Sequence, residues 1–153
     1  VAKEVGVGAV IFHDLKNERT NSFDFNLEEV VRFEGETGPY VQYSRARAES
    51  ILRKAGDVET FDQLNITDPK AWDTLKALQD FPNIVKKAAT QYEPSVIAKY
   101  ALSLAKAFNK YYANSKILAD DNERTARLAL VKSVSIVLEE ALRLLGVKAP
   151  EEM

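Results

Sequence analysis

Residues 34–43 read EGETGPYVQY, and this stretch decides how the chain is expected to fold. Two glycines and a proline predict a turn that leads straight into a helix. Proline at the first helical position has its φ angle pre-set and lacks an N–H that would be unpaired there. Tyr40 and Tyr43 are three residues apart and so share one helical face. Because basic residues follow on that face, our hypothesis is a surface that binds a polyanion with exposed bases.

The composition is that of one globular domain with a small appendage. The chain has 153 residues, of which 46% are hydrophobic and 29% charged. It contains no run of about eighteen apolar residues, so we expect no membrane span. It has no cysteine, which excludes disulfides and thiolate metal sites and fits a reducing cytosol. We therefore expect a cytoplasmic protein.

The charge is unevenly distributed along the chain. A net charge of −2 argues against a globally basic nucleic-acid binder. However, residues 94–118 contain four lysines and no acid, and residues 40–55 contain four basic residues and one acid. This pattern is compatible with a basic surface on an acidic protein, and equally with lysines that are merely solvated.

The helix that begins at the turn is predicted to end at Ala55, because Gly56 suits the left-handed end of a helix. Its spacing predicts one buried stripe: Val41, Ser44, Ala48, Ile51, Leu52 and Ala55. A second stripe, rotated by about 100°, consists of Tyr40, Tyr43, Arg47, Ser50 and Lys54. The tyrosines and Arg47 are therefore expected beside the core and not inside it.

The rest of the chain predicts further helices with short connections. Residues 1–15 are compatible with a buried strand or a buried helix. We expect a short helix over residues 26–33 capped by Asn26, then a loop over residues 57–68. Later helices are predicted from Pro69 to about Gln79 and from a break at Phe81-Pro82 to about Gln91. A longer helix follows the boundary at Glu93-Pro94 and ends among Tyr111, Tyr112 and Asn114, and the last helix runs from a capping box of Asp120 and Glu123 to Gly146. The fold class is therefore all-α, an antiparallel helical bundle.

Catalytic chemistry is not indicated by these residues. His13 is the one histidine and adjoins an apolar run, which is typical of a histidine at a core edge. The glycines at positions 6 and 8 lack the third glycine and the lysine of a phosphate loop. We expect no catalytic residue, no metal ligand and no cofactor in this chain by itself.

The aromatic pairs are the remaining candidates for a site. Tyr40/Tyr43 and Phe108/Tyr112 are each placed on one helical face. Such pairs are commonly core edges whose hydroxyl groups reach water. The alternative is that they stack on unpaired bases of single-stranded RNA. Arg47, Lys54 and the pair Lys106/Lys110 would then contact phosphates.

Several motifs, in this order, resemble the C-terminal third of arginyl-tRNA synthetases. They are VGVGAV at 5–10, Asn17-x-Arg19-Thr20, FEGETGPYVQY at 33–43 with Arg47, TARLALV at 125–131, LLGV at 144–147, and Pro150-Glu151-x-Met153. The resemblance covers nearly the whole chain. It implies that residues 1–33, as a helical segment, link an absent catalytic domain to a helical anticodon-binding domain over residues 34–153.

The resemblance also implies a function. The parent enzyme would be a class I synthetase that joins arginine to its tRNA using ATP and Mg²⁺, and this chain would bind the anticodon stem-loop of tRNA-Arg. Its partners would be that tRNA and its own catalytic domain, and we expect a monomer without membrane contact. By position, the residues implied in tRNA binding are Gly35, Glu36, Thr37, Tyr40, Tyr43, Arg47, Phe108, Tyr112 and Met153.

Three positions depart from the family pattern. Glu36 stands where asparagine is common, and an acid beside phosphates is unfavourable unless it accepts from a base amine. Glu152 stands where arginine is usual, and Phe25-Asn26 replaces Trp-Asp. A rival interpretation remains, in which the tyrosine stripe is a protein–protein surface of a helical interaction module that does not bind RNA.

Overall fold

The computed structural model describes residues 1–56 and 65–153, and every regular element in these residues is helical. The elements are α1 (Ala2–Lys16), α2 (Leu27–Val30), α3 (Gly38–Ala55), a 3₁₀ turn (Pro69–Ala71), α4 (Trp72–Gln91), α5 (Ser95–Asn114) and α6 (Arg124–Leu144). The predicted all-α bundle is confirmed. None of these described helices has both the length and the apolar character that crossing a bilayer requires.

The start of the chain forms helix α1. Of the two alternatives that the sequence left open for residues 1–15, a strand and a helix, the helix is therefore correct. α1 packs against α3 and α5. A Cβ atom on Gly38 would lie 2.8 Å from Phe12 Cβ and 2.9 Å from the carbonyl oxygen of Gly8. A Cβ atom on Gly8 would lie 2.8 Å from Gln42 Nε2. Non-bonded carbon atoms prefer about 3.5–4.0 Å, so these two glycines are what allow α1 and α3 to approach so closely.

Three of the described helical elements are capped by the side chain of the residue that precedes them. In each, the side-chain oxygen of that residue accepts a hydrogen bond from a backbone N–H two or three residues later: Asn26 from Glu28 (3.0 Å), Thr37 from Tyr40 (3.2 Å) and Asp68 from Lys70 (3.0 Å). The Thr37 hydroxyl also donates to the carbonyl of Arg32 at 2.6 Å. The predicted cap of α2 is confirmed, although this helix is shorter than expected, because it ends at Val30.

The connection after α3 begins at Gly56, whose φ of +75° is positive, as expected for this glycine. Its ψ of −165° differs from the left-handed helical conformation that was expected. Residues 57–64 of the predicted loop lie outside the described residues. Residues 65–68 have no regular structure and lead into the 3₁₀ turn.

The core lies mainly between α3, α5 and α6. Its buried members include Phe12, Val41, Ile51, Leu104, Phe108, Leu128, Val131, Val134, Leu138 and Leu142. The predicted buried stripe of α3 is confirmed, with its last two members, Leu52 and Ala55, only partly buried. On the second stripe, Tyr40 and Arg47 are half-buried and Tyr43 is exposed. The bundle therefore leaves the aromatic side of α3 open.

The predicted break at Phe81-Pro82 is wrong, because α4 continues through Pro82 as one helix. Phe81 stacks on Tyr100 of α5 with ring centroids 5.4 Å apart. The Tyr100 hydroxyl donates to the carbonyl of Ala77, one turn before the proline, at 2.7 Å. The missing N–H of Pro82 leaves the Leu78 carbonyl without its helical donor, and the Tyr100 hydroxyl does not replace that donor. The contacts of Tyr100 instead hold the turn that precedes the proline against α5.

The predicted capping box of Asp120 and Glu123 is also wrong. The Glu123 carboxylate instead accepts from the hydroxyl and the backbone N–H of Thr67, the latter at 3.2 Å. Asp121 accepts from the Glu123 N–H at 2.9 Å and pairs with Arg127 at 2.8 Å. The hydrogen bond from Arg127 holds the pKa of Asp121 below its usual value. A distant partner thus takes the carboxylate that local spacing had assigned to the cap.

Pro82→Ala should stabilise the protein. Pro82 is on the solvent side of α4, so its removal leaves no cavity, and a proline inside a helix costs up to about 3 kcal/mol relative to alanine. We expect a gain of about 1 kcal/mol or more in the free energy of unfolding, measured by urea denaturation. Pro94→Ala is the control, because Pro94 caps α5 and needs no helical N–H. A loss of stability in Pro82→Ala would contradict this account of α4.

Candidate functional site

An arginine lies between two tyrosines at the surface where α3 meets α5. The guanidinium carbon of Arg47 is 4.9 Å from the ring centroid of Tyr43 and 5.1 Å from that of Tyr112. Both distances are within the range of cation–π attraction. The tyrosines remain 38% and 42% exposed, so each can still receive a planar group. We call these three residues the tyrosine–arginine stack.

The stack borders a surface cavity of about 410 Å³, which we call the groove. It is lined by Tyr43, Ala46, Arg47, Ser50, Ile51, Arg53, Lys54, Tyr112, Glu152 and Met153. A second cavity of about 480 Å³ shares Ile51, Lys54 and Tyr112 with it and follows the connection over residues 115–119. Tyr112 therefore stands between two adjoining depressions. The groove offers aromatic faces, two arginines and a lysine to a ligand.

Asn109 of α5 links Arg47 to Tyr40 and Ser44, all three of which lie on α3. Its Oδ1 accepts from Arg47 Nη1 at 2.5 Å. Its Nδ2 donates to the Tyr40 hydroxyl at 3.0 Å and to Ser44 Oγ at 2.8 Å. Tyr40 is thereby tied to the same network as Arg47, although Tyr40 does not line the groove. The sequence analysis missed Asn109, and its one signal was a polar, poorly helix-forming residue in the middle of a long helix.

The C-terminal segment reaches the groove because buried polar side chains of α3 hold it there. Gln42 Nε2 donates to the carbonyl of Lys148 at 2.7 Å, and Arg45 Nη1 donates to that of Ala149 at 2.7 Å. The Arg45 side chain is only 4% exposed and also meets three carboxylates, those of Glu139 at 3.3 Å and of Glu49 and Glu151 at 3.9 Å. These contacts direct Met153 into the groove.

The loop over residues 32–37 lies next to the stack and is tied down by two lysines. Lys16 Nζ of α1 donates to the carbonyl of Glu36 at 3.0 Å, and Lys106 Nζ of α5 binds the Glu36 carboxylate at 2.9 Å. The hydrogen bond from Lys106 lowers the pKa of Glu36, so this carboxylate keeps its charge to a lower pH than an ordinary glutamate. Phe33 contacts Tyr43 edge-on, with ring centroids 6.2 Å apart. The loop thus touches the tyrosine–arginine stack.

The lysines of α5 do not form an open basic ridge. Lys99, Lys106 and Lys110 each pair with a carboxylate of another element, at 3.1 Å from Glu18, 2.9 Å from Glu36 and 3.3 Å from Asp73. The predicted phosphate contacts of Lys106 and Lys110 would require these exposed pairs to open. The groove, by comparison, holds three cationic side chains, those of Arg47, Arg53 and Lys54, and one carboxylate, that of Glu152.

Of the nine residues predicted for the site, Tyr40 lies outside the groove and is bound to Asn109, and the other eight fall into three groups. Tyr43, Arg47, Tyr112 and Met153 meet in the groove. Gly35, Glu36 and Thr37 line a separate cavity of about 200 Å³ beside His13 and Lys16. Phe108 is fully buried, so it can support Tyr112, 6.5 Å away between ring centroids, but it offers no face to a ligand.

Metal binding finds no support in the part of the chain that the structure describes. No three histidine, aspartate or glutamate side chains in residues 1–56 and 65–153 converge as ligands of a metal ion would. The groove itself carries one carboxylate among three cationic side chains. Such a donor set suits an anion with planar groups better than a cation.

Comparisons with known proteins agree with the motif analysis. A family described as the DALR anticodon binding domain matches residues 41–153. The whole chain is 94% identical to part of an arginine–tRNA ligase of Pediococcus pentosaceus and 75% identical to part of one of Lactiplantibacillus plantarum, and it covers 27% of each. The arginyl-tRNA synthetase structure of Thermus thermophilus is 41% identical, with a TM-score of 0.91 over 99% of this chain and 27% of that one. The chain thus spans about a quarter of the length of these relatives.

Arg45→Met should destabilise the protein far more than Arg53→Met. The first change removes a buried guanidinium that donates to the Ala149 carbonyl and to the Glu139 carboxylate, and hydrogen bonds to charged groups contribute about 1.5–3 kcal/mol. Arg53 is 46% exposed and pairs with an exposed Glu152, so its loss should cost less than about 1 kcal/mol. Urea unfolding followed by circular dichroism measures both. Equal losses would show that Arg45 does not hold the C-terminal segment as described.

Proposed function

The chain belongs to the DALR anticodon binding domain family, and from this premise we propose that it binds the anticodon stem-loop of an arginine tRNA. The observation that carries the proposal is Arg47, held between two exposed tyrosines at the edge of an open groove. Unpaired bases stack on aromatic rings, and phosphates pair with guanidinium groups. The groove presents both kinds of group within one side chain's length of each other.

In the proposed complex, the exposed rings of Tyr43 and Tyr112 stack on bases of the anticodon loop. Arg47 and Lys54 contact phosphates, and Met153 supplies an apolar contact at the end of the groove. The loop of Gly35, Glu36 and Thr37 contacts the RNA beside the stack, on the α1 side. Tyr40 contributes its hydroxyl, which is oriented by Asn109. These roles are in keeping with the exposure of the tyrosines and the placement of the charges.

We also propose a role for residues 1–33, which precede the family match. Exposed apolar side chains are concentrated there: Val7, Val10, Phe23, Phe25, Leu27, Val31 and Phe33. In a longer chain this segment would link the bundle to a catalytic domain and pack against it. That domain, and not the present residues, would bind ATP and Mg²⁺ for the joining of arginine to tRNA. The proposed enzyme acts in the cytoplasm as a monomer.

Titration of the chain with the anticodon stem-loop of tRNA-Arg tests the proposed function. Binding should weaken as salt rises from about 50 to about 200 mM, because phosphate contacts release counterions. Tyr43→Ala should lower the affinity about 5- to 150-fold, the range expected for loss of one stacked base. Fluorescence anisotropy with labelled RNA measures both effects.

The matched control is Tyr92→Ala. Tyr92 is 78% exposed and lies in the connection between α4 and α5, so its removal should leave RNA affinity unchanged. Equal affinity for an unrelated stem-loop would contradict specific anticodon binding. Salt-insensitive self-association without RNA binding would instead favour the helical interaction module.

Glu36→Gln should strengthen RNA binding. The substitution removes the carboxylate that occupies Lys106 and frees this lysine for a phosphate. One extra phosphate contact to single-stranded RNA should make the slope of log K against log salt steeper by about 0.7. The affinity near physiological salt should rise about threefold. Glu18→Gln is the control, because it frees Lys99, which lies about two turns before Lys106 in α5. Weaker binding by Glu36→Gln would mean that the carboxylate itself contacts the RNA.

A further inference from the structure

We propose that Asn109 is a positioning residue of the groove, whose side-chain amide holds the Arg47 guanidinium between Tyr43 and Tyr112 so that its full charge faces the ligand. The inference deepens the proposed function and rests on it for the nature of the ligand. Its structural part, the restraint of Arg47 by Asn109, stands independently of any ligand.

The orientation of the Asn109 amide follows from its partners. A guanidinium only donates, so the amide oxygen must face Arg47, and the amide nitrogen must face Tyr40 and Ser44. The Ser44 hydroxyl donates to the Tyr40 carbonyl at 2.8 Å, which leaves its oxygen to accept from Asn109. Each of these hydrogen bonds therefore joins a donor to a compatible acceptor, and the amide has one consistent orientation.

This restraint is needed because the tyrosines alone hold Arg47 weakly. An exposed cation–π contact is a weak attraction, and an arginine side chain loses much rotamer entropy when it is fixed in one position. The short hydrogen bond from Arg47 to Asn109 adds a directional tie from a second helix. Because Ser44 and Tyr40 in turn fix Asn109, the guanidinium is ordered before a ligand arrives. Such preorganisation reduces the cost of binding.

The chemical nature of the tie also matters. A carboxylate at position 109 would bind the guanidinium but would neutralise it. The neutral amide accepts the same hydrogen bond and leaves the positive charge available to a phosphate. Asparagine is thus suited to holding an arginine that must act on an anion, whereas aspartate or glutamate suits an arginine with a structural task.

Two measurements test the proposal. In the chain without RNA, the side-chain NMR signals of the Arg47 guanidinium should show restrained rotation, lost in Asn109→Ala and kept in Asn109→Asp. In RNA titrations, Asn109→Ala and Arg47→Met should each lower the affinity about tenfold, as expected for a hydrogen bond to a charged group, and reduce the salt slope by about 0.7. The double variant should lose little more than either one.

Asn109→Asp separates position from charge. It should keep Arg47 restrained and yet lower both the affinity and the salt slope. Asn114→Ala is the matched control, because the Asn114 amide on the same helix donates to the Lys110 carbonyl and to no other group in residues 1–56 and 65–153. This change should alter neither readout. Thermal melts show whether each variant is folded.

The outcomes distinguish the positioning role from the proposed function. Unrestrained Arg47 in the unmodified chain, or equal restraint in Asn109→Ala, would overturn the positioning role. So would additive affinity losses in the double variant. If the unmodified chain binds no RNA while Asn109→Ala still releases Arg47, the proposed function fails and the positioning of Arg47 by Asn109 stands.

Discussion

The buried guanidinium of Arg45 is the interaction on which the shape of the groove depends. Removing such a charge from water costs several kcal/mol, and only well-directed partners offset this cost. Here the partners come from α3, from α6 and from the C-terminal segment. That segment carries Met153, which lines the groove. Because Arg45 needs partners for its buried charge, it holds the C-terminal segment in place and so helps to form a groove built from α3, α5 and that segment.

The ion pairs of the bundle affect where on its surface an anion is attracted. A chain with net charge −2 cannot attract RNA over its whole surface. Its acids neutralise the outward lysines of α5 through pairs that are exposed and therefore weak. Arg47 has aromatic and amide partners in place of a carboxylate. An acidic protein can in this way present a local cationic groove whose strength falls as salt screens it.

Helix positions and the tyrosine stripe could be predicted from the sequence because they follow local rules. Apolar spacing located the buried side of α3, and Asn26 and Gly56 revealed helix ends through their own chemistry. The errors occurred where a distant residue decided the outcome. Tyr100 of α5 packs on the turn before Pro82, through which α4 continues, and Thr67 donates to the Glu123 carboxylate. The spacing of Ile97, Ala101, Leu104 and Phe108 indicates the apolar side of α5, on which Phe108 is buried. The contacts of Asn109 depend on which helix packs opposite, and spacing within one helix does not reveal that.

Two arginines of α3 show how partners, and not residue type, assign a task. Arg45 and Arg47 are two positions apart and therefore point to different sides of the helix. Carboxylates surround Arg45, which is buried, neutralised and bound to the C-terminal segment. Arg47 is half-buried, and its neighbours are two aromatic rings and a neutral amide. Every partner of Arg47 attracts the cation without cancelling its charge. An arginine held in this way is ordered and still keeps its positive charge for a later contact with an anion. A phosphate-binding groove requires both properties.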